Sequence, residues 1–179
     1  MATILKITHK IHTIFFEEFL LNLKNQTTDN FNPFGKITSS NVISIAKMEL
    51  TRKDKIKFFS FYNDELIAYS YLSKFDKKHN CILGIVISDK WQGKGFGKKI
   101  CKHMINHAWK KQFYKIWLTV FENNAAAINL YKSLGFEIEG IFINDEISSK
   151  QKRHVISMAI FKNHLSNINQ RKKIWKNIE

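Results

Sequence analysis

The spacing of apolar residues changes several times along this chain, and each change marks a boundary between elements. Residues 2–7 alternate apolar and polar positions, which predicts a first strand. Ile11, Ile14, Phe15, Phe19, Leu20 and Leu23 then recur at helical spacing, so a helix is expected between Thr8, its candidate N-cap, and about Asn25. The stretch 26–40 contains Pro33 and Gly35 among Asn and Asp and reads as a loop, with a second helix over 41–51. Two β-branched and aromatic runs, 55–62 and 65–73, are joined by Asn63-Asp64, a hairpin signal. The apolar run 80–88 carries Gly84 inside it, which predicts a central strand with a bulge or a close approach at the glycine. Over 98–110, Ile100, Met104, Ile105, Ala108 and Trp109 form one helical face, with Lys98, Lys99, Lys102 and Lys110 outside it. A strand over 114–121 follows. Asn124 then opens a helix with Ala127, Leu130, Tyr131 and Leu134 at i, i+3, i+4 and i+7, and Gly135 is placed as its C-terminal cap. Strands over 136–143 and 153–161 close the pattern. The remainder is basic and polar, anchored only by Leu165, Ile168, Ile174, Trp175 and Ile178, and reads as a docked helix or a frayed end.

This succession of strands and helices is a mixed α/β (α+β) pattern without an internal repeat, and it predicts one domain over 1–162 followed by a basic tail over 163–179. With 44% apolar and 13% aromatic residues, the chain has ample material for a core, which excludes disorder as a description of the whole. No window approaches the run of about 20 apolar residues of a membrane span, and the N-terminal ten residues lack the apolar stretch of a signal peptide. A soluble, cytoplasmic protein without a membrane partner is expected. Cys81 and Cys101 lack a C-x-x-C arrangement and read as small buried hydrophobes. His103 and His107 form an i, i+4 pair without a third ligand, so no metal is expected.

Charge complicates the picture. Twenty-nine Lys and Arg against 15 Asp and Glu give +14, the electrostatic footprint of a nucleic-acid binder. The excess is mostly lysine scattered among Ile and Asn, which an AT-rich coding sequence also produces, and no base-stacking or recognition motif accompanies it.

Three of the seven glycines fall within five residues, Gly93, Gly95 and Gly97, between a predicted strand and a predicted helix. Glycines there let the backbone approach a ligand, and the free amides of a helix start attract an anion. Lys94 and Lys98 add mobile positive charge, which favours a diphosphate over a lone carboxylate. The spacing is neither that of a Walker loop, since Lys98 and Lys99 follow Gly97 with no Ser or Thr for magnesium, nor that of a dinucleotide loop, since residues 106–121 hold no acid. Nucleotide hydrolysis and hydride transfer are therefore not expected.

With Gln92, Gly95 and Gly97 the loop resembles the acetyl-CoA motif of the GNAT superfamily of N-acetyltransferases, and Asn124, Ala127, Tyr131, Gly135 and Phe136 match a second motif of that family at the expected remove. The resemblance implies a GNAT fold: a central, mixed but mostly antiparallel twisted sheet, splayed between its fourth and fifth strands and flanked by helices. It further implies that Ile85, Val86 and Ile87 pair with the pantetheine of acetyl-CoA, that Gly93, Lys94, Gly95, Phe96, Gly97 and Lys98 hold its pyrophosphate on backbone amides, with Gln92 also a cofactor-binding residue, and that Asn124 bonds the pantetheine arm or caps its own helix. Tyr131 would face the thioester sulfur as general acid. The implied reaction is direct acetyl transfer to a primary amine, with a backbone amide near Ile87 stabilising the oxyanion. Thr119 stands where some ribosomal-protein N-acetyltransferases carry a glutamate, which leaves the base unassigned and makes Glu122 its candidate. The acceptor, a small-molecule or peptide amine, would lie between residues 31–35 and Asn144-Asp145-Glu146. A homodimer stays open. Two other readings stand beside this one: an acyl-CoA sensor of the same fold without turnover, and a basic nucleic-acid-binding domain using Lys98, Lys99, Lys102 and Arg171-Lys172-Lys173.

Overall fold

The computed structural model describes residues 6–24, 27–28, 36–74, 79–148 and 151–162. Asn63 and Asp64 both take the left-handed conformation, with φ of 51° and 59°. That pair suits a two-residue turn whose twist matches its flanking strands, so β2 (Lys55–Tyr62) and β3 (Glu65–Lys74) form the expected hairpin. In chain order the described elements are β1 (Lys6–Thr8), α1 (Thr13–Leu21), α2 (Val42–Thr51), β2, β3, β4 (Asn80–Ile87), a short 3-10 turn (Asp89–Trp91), α3 (Phe96–Lys110), β5 (Lys115–Phe121), α4 (Ala125–Lys132), β6 (Glu137–Ser148) and β7 (Gln151–Phe161). The seven strands make one sheet in the order β1-β2-β3-β4-β5-β7-β6. Every pairing is antiparallel except β4 with β5.

Alternation along β2 and β3 directs side chains to two cores. Phe58, Ile67, Ala68 and Leu72 join Ile100, Met104 and Ala108 of α3 on one face. On the other, Phe59 and Tyr69 join Phe16, Phe19 and Leu20 of α1 and Val42, Ile45 and Ala46 of α2. A register shift opposite Ser60 and Phe61 skips Ile67, so Ile67 and Ala68 both face the α3 side. The sheet is thus covered by helices on both faces.

The structure corrects several sequence expectations. Thr8 belongs to β1 and pairs with Phe59, so α1 starts later, at Thr13 after His12, and no side chain caps it. Gly84 makes no bulge, because the β3–β4 register runs unbroken from Lys74 to Ala68; the tight feature is the ring of Tyr71, which would lie 2.4 Å from a Cβ at Gly84. Asn144, Asp145 and Glu146 are strand residues of β6, not a loop, since pairing with β7 extends to Ser148. Residues 31–35, the other half of the expected acceptor groove, and the tail 163–179 lie outside the described residues. Among the described residues no helix is long and apolar enough to cross a membrane.

Candidate active site

Strands β4 and β5 pair only at Asn80 with Lys115, Cys81 with Ile116 and Ile82 with Trp117, and beyond that point they part. The gap follows from topology, because β5 is claimed by β7 along its whole length while β4 stays with β3. The Ser88 amide donates to the Ile67 carbonyl at 2.9 Å, and backbone groups alternate sides along an antiparallel ladder. Val86 therefore turns its amide and carbonyl toward β3, with its side chain in the α1–α2 core, whereas Ile85 and Ile87 turn theirs into the gap. Of the three residues expected to form a strand-like edge, two present one.

The glycine loop starts where β4 ends. Gly93 and Gly95 adopt φ of 71° and 80°, and a Cβ at either would meet nothing within 4 Å. Glycine is demanded there by conformation, in open space that a ligand can enter. Gly95 is the N-cap of α3, and Lys99 is the first residue whose amide reaches back to the Gly95 carbonyl, at 3.4 Å. The amides of Phe96, Gly97 and Lys98 are the unpaired donors of the first turn, on the positive end of a helix of 15 residues. Phe96 contributes its backbone alone, since its side chain is buried against Tyr62 and Trp91, with centroids 4.9 and 5.6 Å away. Lys94 and Lys98 are exposed, and the Lys94 ammonium lies 4.7 Å from the Trp91 ring. Donors, glycines and mobile lysines fit a diphosphate.

Gly97 has a different reason to be glycine. A Cβ there would come within 3.1 Å of Leu130 on α4 and 3.3 Å of Ile87 at the end of β4. The absence of a side chain lets three elements converge: the open end of β4, the start of α3 with its unpaired amides, and the helix that carries Tyr131. In α4 the Asn124 side chain accepts from the Ala127 amide at 3.2 Å, so it acts as a helix cap in this structure. The other end closes as a Schellman motif, with the Gly135 amide on the Lys132 carbonyl, the Phe136 amide on the Tyr131 carbonyl, and Gly135 at φ 92°. Tyr131 and Phe136, 5.7 Å apart, supply the apolar contact that completes it.

Tyr131 is 8% exposed, and burial, with Cys101 nearby, pushes its phenol well above the ordinary tyrosine value. It stays protonated across the physiological range. Glu122 follows the last residue of β5 at the splayed end; its carboxylate is half-exposed and 4.0 Å from the His154 ring, and its amide donates to the His154 carbonyl. Thr119 is exposed. His103 and His107 pack on Phe58, and His9 approaches His107 at 5.3 Å; among the described residues no group of His, Cys, Asp or Glu is set to hold a metal.

Two residues that the sequence reading passed over brace the loop. Asp89 accepts from the Lys24 amide at 3.0 Å and from the Thr27 hydroxyl at 2.6 Å. The Gln92 side-chain amide in turn donates to Thr27 Oγ1 at 3.1 Å and to the Ile87 carbonyl at 3.0 Å. Burial alone would raise the Asp89 carboxyl, but the Lys24 amide and Thr27 hydroxyl outweigh it and hold the group below the usual aspartate range. The contacts made by Lys24 and Thr27 cross more than 60 positions, so no local pattern announces them.

Comparison with known proteins agrees with this architecture. A spermidine N-acetyltransferase from Vibrio cholerae, crystallised with CoA and spermine, superposes with a TM-score of 0.76 at 18% identity, covering 88% of this chain and 95% of that one. Among curated proteins, spermidine N(1)-acetyltransferase of Escherichia coli K12 is 35% identical over 78 residues, covering 43% of this chain and 42% of that protein. Spermine/spermidine N(1)-acetyltransferase of Bacillus subtilis is 34% identical over 90 residues (45% and 58%), and the ribosomal protein bS18-alanine N-acetyltransferase of E. coli K12 is 33% identical over 79 (44% and 53%). The chain thus spans about half the length of the curated relatives it matches. The sequence model of the acetyltransferase (GNAT) family matches residues 17–136, from α1 to the end of the second motif, and the chain belongs to that family.

Proposed function

We propose that this protein is an acetyl-CoA-dependent N-acetyltransferase that acts on a primary amine by direct attack, without a covalent enzyme intermediate. The observation that carries the reading is the convergence at Gly97 of the Ile87 edge, the free amides of α3 and the Tyr131 helix. Acetyl-CoA supplies the activated acetyl thioester; everything else is positioning and proton handling by the chain. Ile85 and Ile87 offer edge groups to an extended amide-bearing arm, as a strand would to its neighbour. Gly93 to Lys98 hold the diphosphate on backbone donors, and Lys94 and Lys98 add screening charge. The Ile87 amide donates toward the thioester oxygen as charge grows there.

Tyr131 holds a proton for the departing sulfur. A phenol whose pKa is raised by burial is a weaker acid than an ordinary thiol of about 8.5, so its main contribution is a hydrogen bond to the developing thiolate. Glu122 is the candidate that accepts the amine proton, at the splayed end of β5. The acceptor class we assign is a small-molecule or peptide amine, consistent with the spermidine, spermine and ribosomal-protein-alanine activities named for the relatives.

The test is melting temperature with and without acetyl-CoA, beside thiol release over spermidine, an amino sugar, an amino acid and a peptide with a free N-terminal alanine. A raised melting temperature with release on one acceptor class is expected. No shift at saturating acetyl-CoA overturns the reading; a shift without turnover on a broader amine panel replaces it with an acyl-CoA sensor.

A further inference from the structure

The single hydroxyl of Thr27 does two opposite jobs. It donates to Asp89 Oδ1 at 2.6 Å and accepts from Gln92 Nε2 at 3.1 Å, and it is 9% exposed. Asp89 uses its second oxygen to hold the Lys24 amide, just beyond the end of α1. The same Gln92 nitrogen bonds the Ile87 carbonyl, on the residue whose amide faces the splayed gap. A continuous chain of hydrogen bonds therefore runs from the segment after α1, through Asp89, Thr27 and Gln92, to the end of β4. Only a side chain that both donates and accepts can occupy its middle, which admits Ser or Thr and excludes the near-isosteric Val.

From this geometry we propose that Thr27 is a positioning residue: it couples occupation of the glycine loop to the ordering of the chain after α1, and sets the Ile87 edge through Gln92. The inference rests on the acetyl-CoA reading above. A diphosphate on the loop amides fixes the turn that carries Asp89 and Gln92. Both ends of the Thr27 hydroxyl are fixed with it, and so is the Lys24 amide. Linkage makes the effect reciprocal, so ordering at Thr27 tightens the loop in the same measure.

Hydrogen exchange of the full chain, read at peptides that contain Lys24 and Thr28, tests this with acetyl-CoA as the probe. In the wild-type protein, saturating acetyl-CoA should slow exchange there about fivefold or more. Thr27→Ser should keep that response. Thr27→Val should lose it while acetyl-CoA still binds and still slows exchange at the start of α3. Asp89→Asn, which puts a donor opposite the Lys24 amide or the Thr27 hydroxyl, should behave like Thr27→Val and serves as the second variant if the valine protein does not fold. Equal slowing in Thr27→Val and wild type, or loss in Thr27→Ser as well, overturns the proposal. So does wild-type protein that binds acetyl-CoA with no change at Lys24. Absence of acetyl-CoA binding by the wild type would instead overturn the functional reading on which it stands.

Discussion

Glu49 is a carboxylate only 1% exposed, in the last turn of α2, and it is held there by an ion pair and a hydrogen bond that meet on one oxygen. Lys55 of β2 reaches Glu49 Oε1 at 2.8 Å, the Tyr69 hydroxyl of β3 donates to the same oxygen, and Lys55 also lies 4.0 Å from the Tyr71 ring. Glu49→Gln would strand a lysine ammonium whose side chain is 6% exposed, so a loss of about 3–5 kcal/mol is expected in urea unfolding. Replacing Glu49 and Lys55 together by apolar residues should cost far less, because desolvation of both charges then disappears. At Tyr131 the expected loss is in rate. Tyr131→Phe keeps the ring in its contact with Phe136 and removes only the proton donor, so kcat should fall about 10²-fold or more while acetyl-CoA affinity, read by calorimetry, changes little. A loss confined to affinity would remove Tyr131 from the chemistry.

At the scale of elements, the glycines of the loop divide by mechanism. Gly97 is forced by packing against Leu130 and Ile87, Gly95 by its φ of 80° at the start of α3. Gly95→Ala adds a methyl group to open space but strains the backbone by about 1 kcal/mol, and the loop relieves that strain by leaving the conformation that aims its amides. Acetyl-CoA affinity should therefore drop about tenfold, with a melting temperature close to that of the wild type. Gly97→Ala should behave oppositely and disturb packing and stability first, since the side-chain ends of Leu130 and Ile87 must give by a few tenths of an ångström. Side-by-side calorimetry and thermal unfolding of the two variants distinguish these cases.

For the molecule as a whole, burial in the α3-side core pushes the thiols of both Cys81 and Cys101 up to about 12. Both should resist aromatic disulfide reagents at pH 8 in the native state and react once the chain is unfolded. The sign of the linkage follows. A thiol that is harder to ionise when folded stabilises the fold fully below its unfolded pKa of about 8.5, and that contribution is lost as pH rises from there toward 12. Unfolding free energy should decline over this alkaline window, and replacement of both cysteines by alanine should flatten the decline. The net charge of +14 acts at the same scale. It adds self-repulsion that salt relieves, and it slows encounter with a polycationic acceptor at low ionic strength.

Local chemistry made much of this legible in one dimension. Asn63-Asp64 can turn left-handed and so specifies its hairpin, Asn124 and Gly135 bracket α4 because one caps amides and the other accepts positive φ, and the crowding of Gly93, Gly95 and Gly97 marks a turn into a helix where two of the three take a positive φ and the third leaves room for neighbouring elements. Element ends were less well determined. Thr8 has the side chain of an N-cap, yet pairing with Phe59 draws it into β1, and β6 runs on through Asn144, Asp145 and Glu146 because β7 offers it a partner. The gap between β4 and β5 belongs to tertiary structure. Which backbone groups of β4 face the gap depends on the β3 register and on β5 leaving with β7, neither of which a local pattern encodes. Thr27 and Asp89 carry no signature in sequence at all, because a hydroxyl becomes a coupling element only when folding brings a donor and an acceptor from 62 and 65 positions away to the same oxygen.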